Sequence, residues 1–166
     1  ARGNSLESVK GRKLVFFGDC CCNMANSWIM AASLFGLELV LCGPENFKPR
    51  KDILNLLERE GLESHHSFTS NPEQAVKNAD ALYTDVWVSM GKEEEESGRI
   101  AEMTPYSVST DLFSQAKPDA LFLHCMPTHP GLEVTQEILD SDRSHLFDQA
   151  ENRLHMQKAI LAKISR

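Results

Sequence analysis

The sequence predicts an α/β fold, a doubly wound, Rossmann-like parallel sheet of about five strands with helices on both faces. Three observations lead to this class. Short, continuously apolar runs recur along the chain, as expected of strands that are buried on both faces of a parallel sheet. Stretches with apolar residues at three- and four-residue steps separate these runs, and that spacing is typical of helices. The right-handed crossover rule then favours a doubly wound arrangement.

Each predicted strand is a run of apolar residues that ends at a turn or at a polar segment. Leu14-Val15-Phe16-Phe17 is followed by a glycine, and Leu39-Val40-Leu41-Cys42 precedes a Gly-Pro break, a dipeptide that marks turns. Ser67-Phe68-Thr69 is the weakest of the set. The predicted strands are 14–17, 39–42, 67–69, 81–86 and 121–124, with a brief additional strand at 146–147.

The helices are predicted from their apolar spacing and from the residues at their ends. Gly36 and Gly61 follow two of them, and glycine is the residue that most readily ends a helix. Pro72 lies at an early helical position, where its missing N–H costs little. The predicted helices are 25–35, 51–60, 71–78, 94–103 and 110–116, a short helix from 135, and a final helix at 149–164.

The composition limits the class of protein and its partners. A chain of 166 residues fits one domain, 1–166. The formal net charge of -7, with no offsetting basic stripe, argues against a nucleic-acid partner. No apolar run approaches the ~20 residues of a membrane span, and the N-terminus shows no secretory signal pattern. Five cysteines, three of them adjacent, make a poor disulfide framework, which predicts a reducing cytoplasm.

Polar residues follow two of the predicted strands, where ligands bind in open parallel sheets. Asp85 and Ser89 come after the fourth strand, and His124 and Cys125 end the fifth. The Asp85 carboxylate suits an ammonium group, and Ser89 with the following backbone N–H groups suits a carboxylate. In the alternative interpretation, Asp85 binds no ligand and only forms the turn of its own loop. Trp87 favours the binding interpretation, because a large apolar residue in a loop commonly marks a cleft.

The loop after the first strand, 18–27, contains three adjacent cysteines and two asparagines but no Gly-x-Gly-x-x-Gly. The missing pattern argues against nicotinamide and flavin cofactors, so no cofactor is predicted. Asn23 or Asn26 can offer an amide to a carboxylate ligand beside the helix N-terminus, or both can simply cap the helix. Adjacent cysteines diverge and there is no C-x-x-C pair, so small packed thiols are favoured over a metal site.

The end of the fifth strand and the start of the last helix carry candidate site residues. His124 and Cys125 are adjacent on an extended chain and therefore point to opposite faces, which favours Cys125 as a ligand contact or proton acceptor over a nucleophilic dyad. A merely packed Cys125 is the alternative. Arg153, near the start of the last helix, can reach a carbonyl or phosphate oxygen, or it can form an intrahelical salt bridge with Glu151.

Three motifs together resemble the carbamoyltransferase family, and within it the C-terminal, amino-acid-binding domain of the ornithine enzymes. They are Asp-x-Trp-x-Ser-Met-Gly at 85–91, His-Cys-Met-Pro at 124–127 and Asp-Gln-Ala-Glu-Asn-Arg-Leu-His at 148–155. The likeness extends from about residue 13 to 162, in the family's order. The implied reaction is attack of the neutral δ-amine of L-ornithine on carbamoyl phosphate, which gives citrulline and phosphate.

The resemblance also implies roles for individual residues. Asn23, Asp85, Ser89 and the Met90 backbone would hold the α-amino and α-carboxyl groups of ornithine. Cys125 would lie beside the δ-amine, the His124, Met126 and Pro127 backbone near the carbamoyl group, and Arg153 at the carbamoyl oxygen. An amine with a lysine-like pKa of ~10.4 is protonated at neutral pH, so Asp85 or Cys125 would accept its proton. A guanidinium at Arg153 would stabilise the negative charge on the oxygen.

The sequence also departs from the family's pattern. Cysteines fill 20–22, where small or polar residues and a second asparagine are usual, Met126 replaces leucine, and Pro130 replaces a loop arginine. No Ser-x-Arg-Thr-Arg phosphate clamp occurs, so the resemblance implies half an enzyme without the N-terminal carbamoyl-phosphate domain, inactive alone. Whole family members are homotrimers. The alternative is a stand-alone amino-acid-binding or regulatory module without catalysis.

Overall fold

The computed structural model describes residues 6–88 and 96–165. Its core is a five-stranded sheet with the order β3-β2-β1-β4-β5, and every neighbouring pair is parallel. This confirms the predicted doubly wound class. The strands are β1 (Lys13–Phe17), β2 (Glu38–Cys42), β3 (His66–Thr69), β4 (Ala81–Thr84) and β5 (Leu121–His124).

Alternate residues of a strand point to opposite faces of the sheet. Because these residues are apolar on both faces, helices cover both. Phe16 belongs to a buried apolar cluster with Ile29 of α1 and Ile53 of α2, whereas Phe17 belongs to a second cluster with Phe113 of α5 and Ile138 of α6. The helices are α1 (Asn23–Phe35), α2 (Lys51–Arg59), α3 (Pro72–Val76), α4 (Glu96–Met103), α5 (Thr110–Ser114), α6 (Gln136–Leu139) and α7 (Leu146–Ile164).

The predicted strand at 146–147 is wrong, since Leu146 begins α7. The chain does pair with the sheet just before that point, where the Phe122 amide donates to the Arg143 carbonyl (2.8 Å) and the His145 amide to the Phe122 carbonyl (2.9 Å). Leu146 is then buried while Phe147 is 76% exposed. Two adjacent apolar residues therefore mark the first turn of a helix.

Other boundaries differ by a few residues. β4 ends at Thr84, so Asp85 and Val86 already belong to the loop. α3 ends at Val76, because Lys77 leaves the helical conformation (ψ 128°) and Asn78 after it is left-handed (φ 58°). α5 stops at Ser114, and residues 94 and 95 of the predicted fourth helix lie outside the described residues.

The strand order sets the place where a ligand can enter. The chain moves from β1 outward to β2 and β3, and then returns to the other side of β1 with β4 and β5. The connections after β1 and β4 therefore leave the sheet in opposite directions and open a crevice between the carboxyl ends of these two strands. Thr84 bridges the two strands there, donating its buried hydroxyl to the Phe17 carbonyl (3.1 Å).

At the amino-terminal ends of the strands, one buried carboxylate connects β1 with the segments that lead into β4 and β5. Asp80, just before β4, accepts hydrogen bonds from Arg12 (2.9 Å), the Lys13 amide (3.0 Å) and Lys117 (2.8 Å). Burial alone raises the pKa of Asp80, but these hydrogen bonds outweigh it and hold the pKa below its ordinary value. The carboxylate therefore stabilises the fold in its charged form.

Asp80→Asn should cost about 1–3 kcal/mol at pH 7, the penalty for breaking a buried, charge-assisted network. A lowered folded-state pKa gives stability above the unfolded value of about 3.9, and that stability is lost as the pH falls through the folded value. Urea unfolding at pH 7 and pH 3 should show a smaller difference from wild type at pH 3 than at pH 7. Asp140→Asn, which alters an exposed carboxylate, should change little at either pH.

α7 is the element with the least cover. From Ala150 to its end it is exposed along its whole length within the described residues. Several of its exposed residues are large and apolar, namely Leu154, Met156, Ile160, Leu161 and Ile164, each more than half exposed. Among the helices of the described residues, none combines the length and apolar character that a bilayer crossing requires.

Candidate functional site

The crevice between β1 and β4 is bordered by the loop 18–22 and by Asp85–Trp87. Gly18 has φ 105°, a conformation that side-chain-bearing residues rarely adopt, and the Trp87 indole lies over the space where its side chain would be. Trp87 is only 3% exposed. The expectation that Trp87 marks a cleft as an exposed apolar residue is therefore wrong, because the residue packs onto the backbone of the first loop.

Asp19 and Cys22 organise the first loop. The Asp19 carboxylate accepts from the Cys21 amide (2.9 Å) and thiol (3.0 Å). The N-cap of α1 is Cys22, whose sulfur accepts from the Ala25 amide (3.4 Å). Neither asparagine caps the helix as the alternative interpretation required, since Asn23 is the first residue of α1 and is exposed. The side-chain amide of Asn23 is therefore free to contact a ligand at the N-terminus of α1.

The three adjacent cysteines are free thiols, Cys20 buried and the other two half-buried. Cys20 is fully buried, and burial is the main reason that its pKa is raised well above the ordinary value. Burial also raises the pKa of Cys21 and of Cys22 to about 11. The charge of Asp85 contributes to the raised pKa of Cys22. The loop 18–22 therefore lies beside the loop that begins at Asp85.

Asp85 and Cys125 form the central contact of the site. The Cys125 thiol, just after β5, donates to Asp85 Oδ1 over 2.8 Å, and the same oxygen accepts from the Val86 amide (2.7 Å). The Tyr83 hydroxyl lies close enough to Cys125 to influence its pKa, and it accepts a hydrogen bond from Gln149 Nε2 (3.1 Å). The two strand ends that the sequence singled out therefore meet in one place.

The state of the Cys125 thiol decides which partner can act as a base. Burial, followed by the hydrogen bond to Asp85 and its charge, raises the pKa of Cys125 to about 12. A thiol with this pKa stays protonated near pH 7 and lacks the thiolate that nucleophilic chemistry requires. Within this pair, the Cys125 thiol donates the hydrogen bond and the Asp85 carboxylate accepts it.

Native Cys125 should therefore resist alkylation. At pH 8 this thiol stays almost wholly protonated, so iodoacetamide should label Cys125 far more slowly than in the unfolded chain. Asp85→Asn removes one cause of the raised pKa and should speed labelling, measured by peptide mass spectrometry, whereas Asp140→Asn should not. Equal labelling rates in all three proteins would show that Asp85 does not control the thiol.

His124 and Met126 flank Cys125 but face different surroundings. His124 is 1% exposed and points to the opposite side of the strand from Cys125, towards buried Glu133, as the sequence predicts for adjacent residues. Met126 is about one-third exposed, has φ 56° and precedes a cis peptide bond to Pro127. The turn thus presents Cys125 and the Met126 backbone at the rim of the crevice.

Arg99 of α4 joins the two loops, a role that the sequence did not suggest. Its guanidinium pairs with Asp19 and also donates to the Trp87 carbonyl, and it lies 4.8 Å from the centre of the Phe47 ring. Arg99 and Asp19 are 80 residues apart, so no local pattern could pair them. The only available signal is an arginine in a helix that leads away from the Asp85 loop.

Arg153 is not brought to Asp85 and Cys125. It is exposed on α7, and within the described residues it has no ion-pair partner. The alternative salt bridge to Glu151 is also absent there, because Glu151 pairs with His155 (3.1 Å). Ser89 and Met90 lie outside the described residues, so their predicted roles stay predictions.

A wide groove lies between α1, the β5 side of the sheet and the start of α7. Its volume is about 980 Å³, and its walls combine apolar and polar side chains, among them Met24, Trp28, Tyr83, Leu123, Gln149 and Asn152. Tyr83 and Gln149 both line this groove and are joined by a hydrogen bond. The site is therefore open on the side that α7 borders.

The fold and this site can be compared with known proteins. Residues 10–164 match the family described as "Aspartate/ornithine carbamoyltransferase, Asp/Orn binding domain". This chain belongs to that carbamoyltransferase family. The match covers more than half of the chain and includes every described site residue.

Individual carbamoyltransferases agree with the family match. Ornithine carbamoyltransferase from Methanoculleus marisnigri is 41% identical over 94% of this chain and 50% of its own length. The anabolic ornithine carbamoyltransferase from Pyrococcus furiosus is 44% identical over 95% of this chain and 50% of its own length. The chain spans about half the length of the curated relatives it matches.

Solved carbamoyltransferase structures have the same fold. The ornithine carbamoyltransferase from Pyrococcus furiosus superposes with a TM-score of 0.83 at 42% identity, over 93% of this chain and 50% of the other. The anabolic enzyme from Campylobacter jejuni gives a TM-score of 0.84 at 31% identity, over 96% and 53%. The predicted resemblance and fold class are confirmed.

Proposed function

We propose that this domain is the ornithine-binding half of a carbamoyltransferase, which transfers the carbamoyl group of carbamoyl phosphate to the δ-amine of L-ornithine to give citrulline and phosphate. The observation that carries the proposal is the hydrogen bond between Asp85 and Cys125 at the crevice. It brings together two motifs that occur in this order in the ornithine enzymes. The family match and the named relatives support the same assignment.

The charges of the crevice suit a substrate with amino groups. Asp19 is neutralised by Arg99, whereas the donors that the Asp85 carboxylate receives within residues 6–88 and 96–165 are neutral, the Val86 amide and the Cys125 thiol. Asp85 therefore retains a negative charge that an ammonium group can compensate. The exposed Asn23 amide at the N-terminus of α1 lies where a substrate carboxylate is favoured. Ser89 and the Met90 backbone are proposed to complete that carboxylate contact.

The transfer also needs the free base of the amine. Ornithine reaches the site as an ammonium ion, so a proton must leave before nitrogen attacks the carbamoyl carbon. Asp85 is proposed to accept that proton, directly or through the substrate, while the protonated Cys125 orients the amine. The Met126 backbone, at the exposed turn beside Cys125, is proposed to face the carbamoyl group.

A second domain is proposed to supply the carbamoyl phosphate and to cover the exposed side of this one. The relatives are about twice as long as this chain, and the apolar residues of α7 are more than half exposed. An apolar surface of this kind typically marks an interface. In the assembled enzyme, Arg153 of α7 would contact the carbamoyl oxygen. A homotrimer of such complete enzymes is the proposed assembly.

Binding of ornithine to the chain tests the assignment separately from catalysis. Titration of the 15N-labelled protein with L-ornithine or norvaline should shift the amide resonances of Val86 and Cys125, even where affinity is too weak for calorimetry. L-aspartate at the same concentrations should leave these resonances in place. Shifts with aspartate and none with ornithine would contradict the substrate assignment.

A stand-alone amino-acid-binding or regulatory module is the second candidate. The exposed, partly apolar α7 argues against it, because a module that works alone gains nothing from leaving this surface open to water. Such a module would bind ornithine but would give no transferase activity with any complementary domain.

A further inference from the structure

Glu133 is a fully buried carboxylate that the proposed chemistry does not use. Its side chain has no exposure to solvent, and its backbone carbonyl accepts from the Val108 amide (2.9 Å). Oε1 accepts from the His129 amide (2.5 Å), while Oε2 has no hydrogen-bond partner within the described residues. Burying an ionised carboxylate is costly unless other groups compensate its charge, so its position calls for a partner.

Two histidines face this carboxylate. The half-exposed His129 has its Nδ1 3.9 Å from Oε2, and the buried partner is His124. Its Nε2 lies 3.6 Å from Glu133 Oε1 and is itself buried without a hydrogen bond in the described part of the chain. On the other side of the ring, Nδ1 accepts the Met126 amide over 2.8 Å. A nitrogen that accepts a hydrogen bond carries no proton, so the imidazole proton is on Nε2 and faces Glu133.

The hydrogen bond to Nδ1 fixes the turn at the site. Met126 has φ 56°, a left-handed conformation that is unfavourable for a residue with a side chain. The bond from its amide to His124 offsets this cost. With the proton on Nδ1 instead, two N–H groups would face each other and the turn would lose its anchor.

We propose that Glu133 is a positioning residue, which keeps the His124 proton on Nε2 so that Nδ1 can hold the Met126 amide and fix the turn that presents Cys125 to the substrate. The structural part depends only on the described contacts. The effect on carbamoyl transfer rests on the proposed function. Glu133 touches no substrate and acts through His124.

The tautomer can be measured in the 166-residue chain itself. Long-range 1H–15N spectra of 15N-histidine-labelled protein should show His124 with an unprotonated Nδ1 and a protonated Nε2, identified by loss of the signals in His124→Gln. Glu133→Gln keeps the acceptor oxygen and should preserve the pattern. Glu133→Leu removes the negative oxygen that faces Nε2, so the two tautomers should mix and the Met126 amide should exchange with solvent faster. Glu137→Gln, an exposed change four residues away, is the control.

Two outcomes would overturn the structural part. The first is a wild-type His124 with its proton on Nδ1, a result that requires no variant to fold. The second is a folded Glu133→Leu protein in which the tautomer and the exchange of the Met126 amide equal those of wild type. Either result would reduce Glu133 to a buried packing residue.

The catalytic part is tested in an enzyme completed with the other half of a relative. Glu133→Leu should lower kcat for citrulline formation on the order of 10²-fold, as for a misplaced reacting group, with little change in KM for ornithine. Glu133→Gln should recover most of that activity. Full activity of Glu133→Leu would refute the positioning role while the proposed function stands. Absence of citrulline from the wild-type assembly would instead refute the proposed function and leave the tautomer assignment intact.

Discussion

Gly43→Ala should destabilise the domain by about 3 kcal/mol or more, at the upper end of the cost of overpacking. Gly43 follows β2, and a Cβ there would lie 2.1 Å from the Gly18 carbonyl oxygen and 3.1 Å from the Cys20 sulfur. The first contact is with backbone that is itself held by the bond from the Gly18 amide to the Cys42 carbonyl (2.9 Å). The clash can be removed only if the loop 18–22 moves, so the crevice should be distorted as well.

Gly98→Ala is the matched control for that experiment. Gly98 lies inside α4, and a Cβ there meets no atom within 4 Å. Alanine should therefore stabilise the helix by roughly 0.5–1 kcal/mol. Urea denaturation of both variants should give opposite signs, and equal free energies of unfolding would show that the contact between the two loops is looser than described.

Asp85→Asn should weaken ornithine binding in the completed enzyme by about 10- to 150-fold, which corresponds to roughly 1.5–3 kcal/mol for a charge-assisted contact. Asparagine keeps the shape and an oxygen that can accept from the Cys125 thiol and the Val86 amide. The melting temperature should therefore change little. Calorimetry with ornithine and a thermal melt measure the two quantities.

The opposite pattern would assign Asp85 a structural role. If Asp85→Asn melts much earlier than wild type and binds ornithine with unchanged affinity, the carboxylate only supports its loop. Asp140→Asn, which removes an exposed carboxylate after α6, should alter neither quantity and controls for the change in net charge.

The sheet was predictable because each strand is a short, continuously apolar run, and the central contact followed from polar residues at two strand ends. Asp85 and Cys125 are 40 residues apart, yet parallel strands bring their carboxyl ends to one edge. That rule holds for any doubly wound sheet. Helix boundaries were less certain, since Leu146 and Phe147 are apolar neighbours in a helix as readily as in a strand.

The supporting contacts were not predictable from local sequence. The pairing of Arg99 with Asp19 depends on the direction in which α4 returns over the crevice, and the bond between Gln149 and Tyr83 depends on how α7 crosses the sheet. Trp87 was misjudged for a related reason. Its burial requires the left-handed Gly18 on the neighbouring loop. The sequence around either residue does not indicate that the two pack together.

Citrulline formation is the most direct test of the central claim that this domain supplies the ornithine side of a carbamoyltransferase. The purified chain alone, given ornithine and carbamoyl phosphate, should form no citrulline. The complementary half of a relative, fused to the chain or added until the two co-elute as a complex, should restore turnover, because holding both reactants together supplies much of the rate. Citrulline from the lone chain, free of contaminating enzyme, would contradict the account, as would an assembled complex that binds both substrates and forms none.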